Sequence, residues 1–109
     1  MRLSEAIRKG CECTDRITGA LLDVWEGTPG ACALGAALVG VVGLDFEPDD
    51  YALLVRTFPV LDRSSELAPR LASSTGSGSR SLLTLIMSAN DCYGLDRETI
   101  AGLLEEDGL

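Results

Sequence analysis

Histidine is absent from this 109-residue chain. That removes every mechanism built on a Ser-His or Cys-His pair, and every His-ligated metal site. Basic residues are few, with 9 Lys and Arg against 17 Asp and Glu, so the net charge is −8. An acidic surface of this kind argues against direct binding to nucleic acid or to anionic lipid, and it suits a basic protein partner. The first ten residues, MRLSEAIRKG, have no apolar core of the kind a secretory signal needs. The expected location is therefore the cytoplasm, where the four cysteines would be thiols or metal ligands rather than disulfides. No stretch shows convincing strand alternation, and no diagnostic catalytic motif is present. The expectation is a protein that is not an enzyme and holds no cofactor.

Charge is also missing from one long stretch, Thr28 to Leu44, TPGACALGAALVGVVGL. Thr28 suits an N-cap and Pro29 the first helical position. Alanines and leucines follow, and Gly43 is a natural C-terminal stop. A helix apolar all round belongs in a core or a membrane. From Gly30 to Leu44 it would span only ~22 Å, against the ~30 Å of a bilayer core. The run therefore predicts a buried central helix over 29–43. Ala31, Gly35, Ala36 and Gly40 give it a small-residue face that lets other helices approach closely.

Elsewhere the periodicity predicts short helices. Leu3 to Lys9 is one, with Ser4 as cap, Leu3 and Ile7 inward and Gly10 as stop. Ile17, Ala20, Leu21, Val24 and Trp25 recur at helical spacing within 15–26, which Gly27 would end. Acids at 45–50 with Pro48 mark a helix start, Tyr51, Leu54, Val55 and Phe58 share one face, and Pro59 closes it. Residues 60–71 are weaker, with Pro69 interrupting. Residues 73–81, SSTGSGSRS, read as a flexible Ser/Gly loop. Leu82, Leu85, Ile86 and Ala89 define a helix capped by Ser81 or Ser79, and Asn90 and Asp91 end it before Gly94. Asp96 caps a last helix with Ile100, Leu103 and Leu104 inward. The predicted fold is all-α: one domain over 1–109, about five short helices around the central one.

Four cysteines could form a thiolate zinc site, but Cys11, Cys13, Cys32 and Cys92 lack the paired C-x₂₋₄-C spacing of structural zinc, and core or bystander thiols are the simpler reading. Cys32 lies early in a helix, where the dipole can activate a thiol, and without histidine its base would be a carboxylate such as Asp91. Residues 90–96 do not make a calcium loop, because Ala89 and Ile100 would fall at the first and last ligand positions. The 76–81 segment lacks the lysine of a P-loop. The acids form two groups. Asp45, Glu47, Asp49 and Asp50 suit helix capping, and together with Glu105, Glu106 and Asp107 they are the candidate acidic interaction face. Glu105, Glu106 and Asp107 sit at a helix C-terminus where the dipole disfavours them, as a solvated tail or part of an acidic interaction face.

Leu3-Ser4-Glu5-Ala6-Ile7-Arg8, Cys32-Ala33-Leu34-Gly35-Ala36-Ala37 and Asn90-Asp91 followed by Arg97-Glu98-Thr99-Ile100-Ala101 together resemble a group of short uncharacterised bacterial and phage proteins. That group has a CALGAA core helix and an ND corner before a final E-x-I helix. The resemblance implies no activity. It implies one piece of geometry: the start of the core helix lies beside the ND corner, which makes Cys32, Asn90 and Asp91 the candidate polar site. The leading expectation is a non-enzymatic interaction module, in its sharper form a phage-type inhibitor that presents carboxylates to a basic nucleic-acid-binding protein. The alternatives are a small ligand-binding or cysteine-dependent enzyme domain centred on Cys32, Asn90 and Asp91, and a homodimer using apolar faces of the 15–26 or 48–58 helices.

Overall fold

A computed structural model describes every residue except Trp25, Glu26, Ser77 and Ser79. The protein is mostly helical, with six α-helices among the described residues. It is not purely α, because a small three-stranded sheet packs beside them. Helix α1 spans Leu3–Cys11, α2 Ala33–Val42, α3 Tyr51–Thr57, α4 Pro69–Thr75, α5 Leu82–Asp91 and α6 Arg97–Glu106. Strands β1 (Asp15–Arg16), β2 (Leu22–Asp23) and β3 (Gly30–Ala31) lie between α1 and α2. Two 3₁₀ turns, Pro59–Asp62 and Ser65–Leu67, join α3 to α4. No helix among the described residues is long and apolar enough to cross a membrane.

The charge-free stretch is the centre of the molecule, as its composition predicts. Every residue of α2 from Ala33 to Gly40 is buried. Its small-residue face receives α1 at very short range. A Cβ added to Gly10 would lie 1.7 Å from the Ala36 carbonyl oxygen, and one added to Gly40 would lie 2.2 Å from that of Ala6. The helices run antiparallel, with Ala6 against Gly40 and Gly10 against Ala36. Gly10, predicted as a stop, is thus inside α1, which runs on to Cys11. Ser4 is also inside rather than at the cap. The N-cap is Arg2, with no side-chain bond, and the Ser4 N–H donates to the Leu109 carbonyl at 3.1 Å.

The central helix starts later than predicted. Residues 30–31 are the middle strand of the sheet, in the order β1-β3-β2. Asp15 N–H donates to the Pro29 carbonyl at 2.8 Å, so Pro29 serves the sheet and not the first helical turn. Cys32 is the true N-cap. Gly43, at φ +77°, ends the helix where predicted.

The predicted helix over 15–26 does not form. Its described part is β1, a bend and β2, and Trp25 and Glu26 lie outside the described residues. Hydrogen bonds to the 29–31 segment replace the helical ladder, including Ile17 N–H to the Ala31 carbonyl at 3.3 Å. Gly19 turns the chain at φ +82°. Leu21, which the periodicity marked as apolar, is fully buried. Its carbonyl lies so close to α2 that a Cβ on Gly35 would fall 1.6 Å from it.

Later elements follow their signals more closely. Asp50 caps α3, its Oδ1 accepting the Leu53 N–H at 3.0 Å. Pro69 opens α4 at the first helical position instead of interrupting a helix. Residues 73–75 of the predicted Ser/Gly loop finish that helix, and Gly76 closes it in the left-handed region. Ser77 and Ser79 of the same loop are outside the described residues. Ser81 caps α5 and pairs with Ser64 in an isolated bridge. Asp96 caps α6, accepting the Thr99 N–H at 2.7 Å. The core draws on all six helices, with Ile7, Leu34, Leu38, Leu54, Leu71, Leu85, Ile86 and Ile100 among its buried members.

Candidate functional site

The structure brings Cys32 and Asn90 together at the start of α2. Two groups serve the free N–H donors of that helix. The Cys32 Sγ accepts from the Gly35 N–H at 3.4 Å, and the Asn90 Oδ1 accepts from the Ala33 N–H at 3.1 Å. Asn90 also donates through Nδ2 to the Ile17 carbonyl at 3.0 Å and to Asp91 Oδ1 at 2.7 Å. Its own carbonyl accepts from the Arg16 guanidinium. One asparagine, 1% exposed, therefore ties α5 to α2, β1 and the loop after β1. Asp91, next along the chain, is exposed.

This arrangement suits capping better than catalysis. Cys32 is 6% exposed, and burial pushes its thiol pKa up against the opposing effect of the Gly35 and Leu34 N–H groups. The helix start does not activate this sulfur. The cysteine-centred alternative is thereby left without an accessible nucleophile at Cys32. Tyr51 belongs to the same neighbourhood. Burial raises its phenol pKa, with Cys32, Asp91 and Asp49 adding in the same direction. Two surface hollows lie elsewhere, one of about 570 Å³ beside Pro69, Arg70 and Leu103, the other of about 380 Å³ between Cys11, Arg16 and Arg97. Neither is lined by Cys32, Asn90 or Asp91.

The four cysteines differ in setting. Cys32 is buried, Cys11 half-buried, and Cys13 and Cys92 exposed. Among the described residues, no three Cys, Asp or Glu side chains are grouped as a metal ion would require.

Arg97 is the residue that the sequence did not reveal. Only 9% exposed, it has no carboxylate partner among the ion pairs of the described residues. Its guanidinium donates instead to Thr14 Oγ1 and the Thr14 carbonyl, both at 2.7 Å, and to the Ala31 carbonyl at 3.2 Å. Thr14 Oγ1 in turn donates to the Gly10 carbonyl at 2.7 Å. Arg97 thus fastens α6 to the link between α1 and β1 and to β3. A signal existed: an arginine directly after a cap residue faces the positive end of its own helix, an unfavourable place unless other acceptors hold it.

The two acidic groups have different fates. Arg8 pairs with Glu98 at 3.4 Å and with Glu105. Arg70 pairs with Glu106 at 3.3 Å and with Asp107. The 105–107 acids, predicted as a fraying tail or part of an interaction face, are tied back onto α1 and α4. Asp50 caps α3. Asp45, Glu47 and Asp49 are exposed, and none of them enters an ion pair among the described residues. The homodimer alternative loses one of its two helical faces, since the described residues of 15–26 form no helix.

Comparison with protein-family models, with curated proteins and with solved structures found no match.

Proposed function

We propose that the protein is a non-enzymatic interaction module whose partner is a protein with a basic surface. The observation that carries this reading is the split between the acidic groups. Four of the carboxylates near the C-terminus are matched by Arg8 and Arg70, whereas Asp45, Glu47 and Asp49 are exposed and enter no ion pair among the described residues. Unmatched charge of one sign steers association and selects a partner of the other sign. In its sharper form the module occupies a basic cleft of a nucleic-acid-binding protein, with carboxylates in place of phosphates. The buried Cys32 and the capping role of Asn90 support the non-enzymatic side of the proposal.

Affinity capture of host proteins at ionic strengths of about 0.1 M and about 1 M tests it, because screening at these strengths differs several-fold. The expected result is a basic protein retained only at the lower salt. A charge-reversed Asp45→Lys, Glu47→Lys, Asp49→Lys variant should lose it, and a Glu105→Lys, Glu106→Lys variant should keep it. Equal capture by both variants would overturn the assignment.

A further inference from the structure

Helix α2 leaves the core at its last turn. Val41, Val42 and Leu44 are 45%, 40% and 42% exposed, although Ala33 to Gly40 are all buried. The antiparallel pairing of α1 and α2 places the start of α1 at this same end, where Met1 is 66% exposed. Clustered apolar side chains on a strongly charged small protein mark a contact surface more often than scattered ones do. The frame around them is negative. Asp45, Glu47 and Asp49 follow directly, and α2 places no basic residue in its last turn. The negative end of its dipole adds to the field of those acids. Arg2, exposed at the start of α1, offsets part of that field.

We propose that Val41, Val42 and Leu44 anchor an amphipathic segment of a protein partner that presents apolar side chains flanked by lysine or arginine. This rests on the interaction reading above and names the chemistry of its partner. An apolar centre with a polar, charged rim is the usual anatomy of such a contact. Charge complementarity chooses the occupant. A second copy of this chain would set two acidic frames against each other, and an anionic lipid surface would be repelled.

The test is a titration of the ¹⁵N-labelled full chain with two synthetic helical peptides of about 15 residues. Both carry the same lysines. One has leucine at i, i+3, i+4 and i+7, and the other has serine there. The expected result is that amides of 41–49 shift and that the leucine peptide binds about tenfold tighter or more, the least that burying one leucine side chain gives. A Val41→Ser, Leu44→Ser variant, altered only at exposed positions, should erase that preference and keep the weak binding of the serine peptide. Equal affinity of the two peptides for the wild-type chain would overturn the apolar anchor and leave the basic-partner reading standing. Absence of shifts at 41–49 with either peptide would overturn both. Shifts there that follow protein concentration without peptide would assign the surface to a second copy and overturn the proposal.

Discussion

The side-chain oxygen of Asn90 accepts the backbone N–H of Ala33 at 3.1 Å, across 57 residues of chain. A helix that begins inside the core cannot satisfy its first N–H groups with water. Here the end of α5 and the thiol of Cys32 supply the acceptors. The corner that resembles a polar site is thereby a fastening of the buried helix.

Asn90→Ala should remove the acceptor from Ala33 N–H and the donor from the Ile17 carbonyl. With a buried N–H and a half-buried carbonyl left unmatched, the loss should be about 2–4 kcal/mol in urea unfolding. Asp91→Ala, one residue on and exposed, should cost under about 1 kcal/mol. Equal losses at the two positions would show that Asn90 is not the fastening residue.

The crossing of α1 and α2 gives a second contrast. Gly10→Ala must push the two helices apart, because the new methyl would meet the Ala36 carbonyl at 1.7 Å. A cost of about 3 kcal/mol is expected from such overpacking. Gly102→Ala, inside α6, would meet nothing closer than the end of Arg8 at 3.8 Å. It should stabilise the chain by about 0.5–1 kcal/mol through helix propensity. Thermal unfolding of the two variants against the parent checks both signs.

Periodicity and caps located the elements whose stability is local. The segments around α3, α5 and α6 carry their own N-caps in Asp50, Ser81 and Asp96, and each cap bond is present. The 15–26 segment has helical spacing too, but its polar backbone is matched by residues 29–31, and spacing within a segment does not encode that pairing. The same pairing moves the start of α2 from Pro29 to Ala33. The nearness of Cys32 and Asn90 was expected from resemblance, whereas its capping purpose depends on bonds visible only in the fold. Arg97 escaped because its three acceptors are backbone and hydroxyl oxygens, so its one trace in the sequence is its unfavourable place directly after the Asp96 cap.

Arg97 should be intolerant even of a conservative change. Arg97→Met leaves the Thr14 carbonyl without its donor, and Arg97→Lys keeps the charge but replaces a planar fork by a single ammonium. Each should destabilise by about 2–4 kcal/mol. Hydrogen exchange supplies a local readout. The amides of Asp15 and Ile17, which donate to Pro29 and Ala31, should exchange faster in both variants than those of α5. Uniform acceleration throughout the chain would argue for a general loss of stability without a local role for Arg97.

Cys32 allows a prediction in pH. Its thiol is pushed above the ordinary value of 9.0 by burial. A group whose folded pKa is raised holds its proton longer in the folded chain than in the unfolded one. Its contribution is complete below the unfolded pKa and is lost as pH rises through the folded value. Stability should therefore fall above pH 9, and more steeply in the parent than in Cys32→Ser. Serine is itself a good N-cap, so its hydroxyl can accept the Gly35 N–H, and the variant should lie within about 1 kcal/mol of the parent at neutral pH. Alkylation gives an independent check at neutral pH, where exposed Cys13 and Cys92 should be modified quickly and Cys32 only at the rate of unfolding. Rapid labelling of Cys32 in the folded chain would reopen the nucleophile that its burial closes.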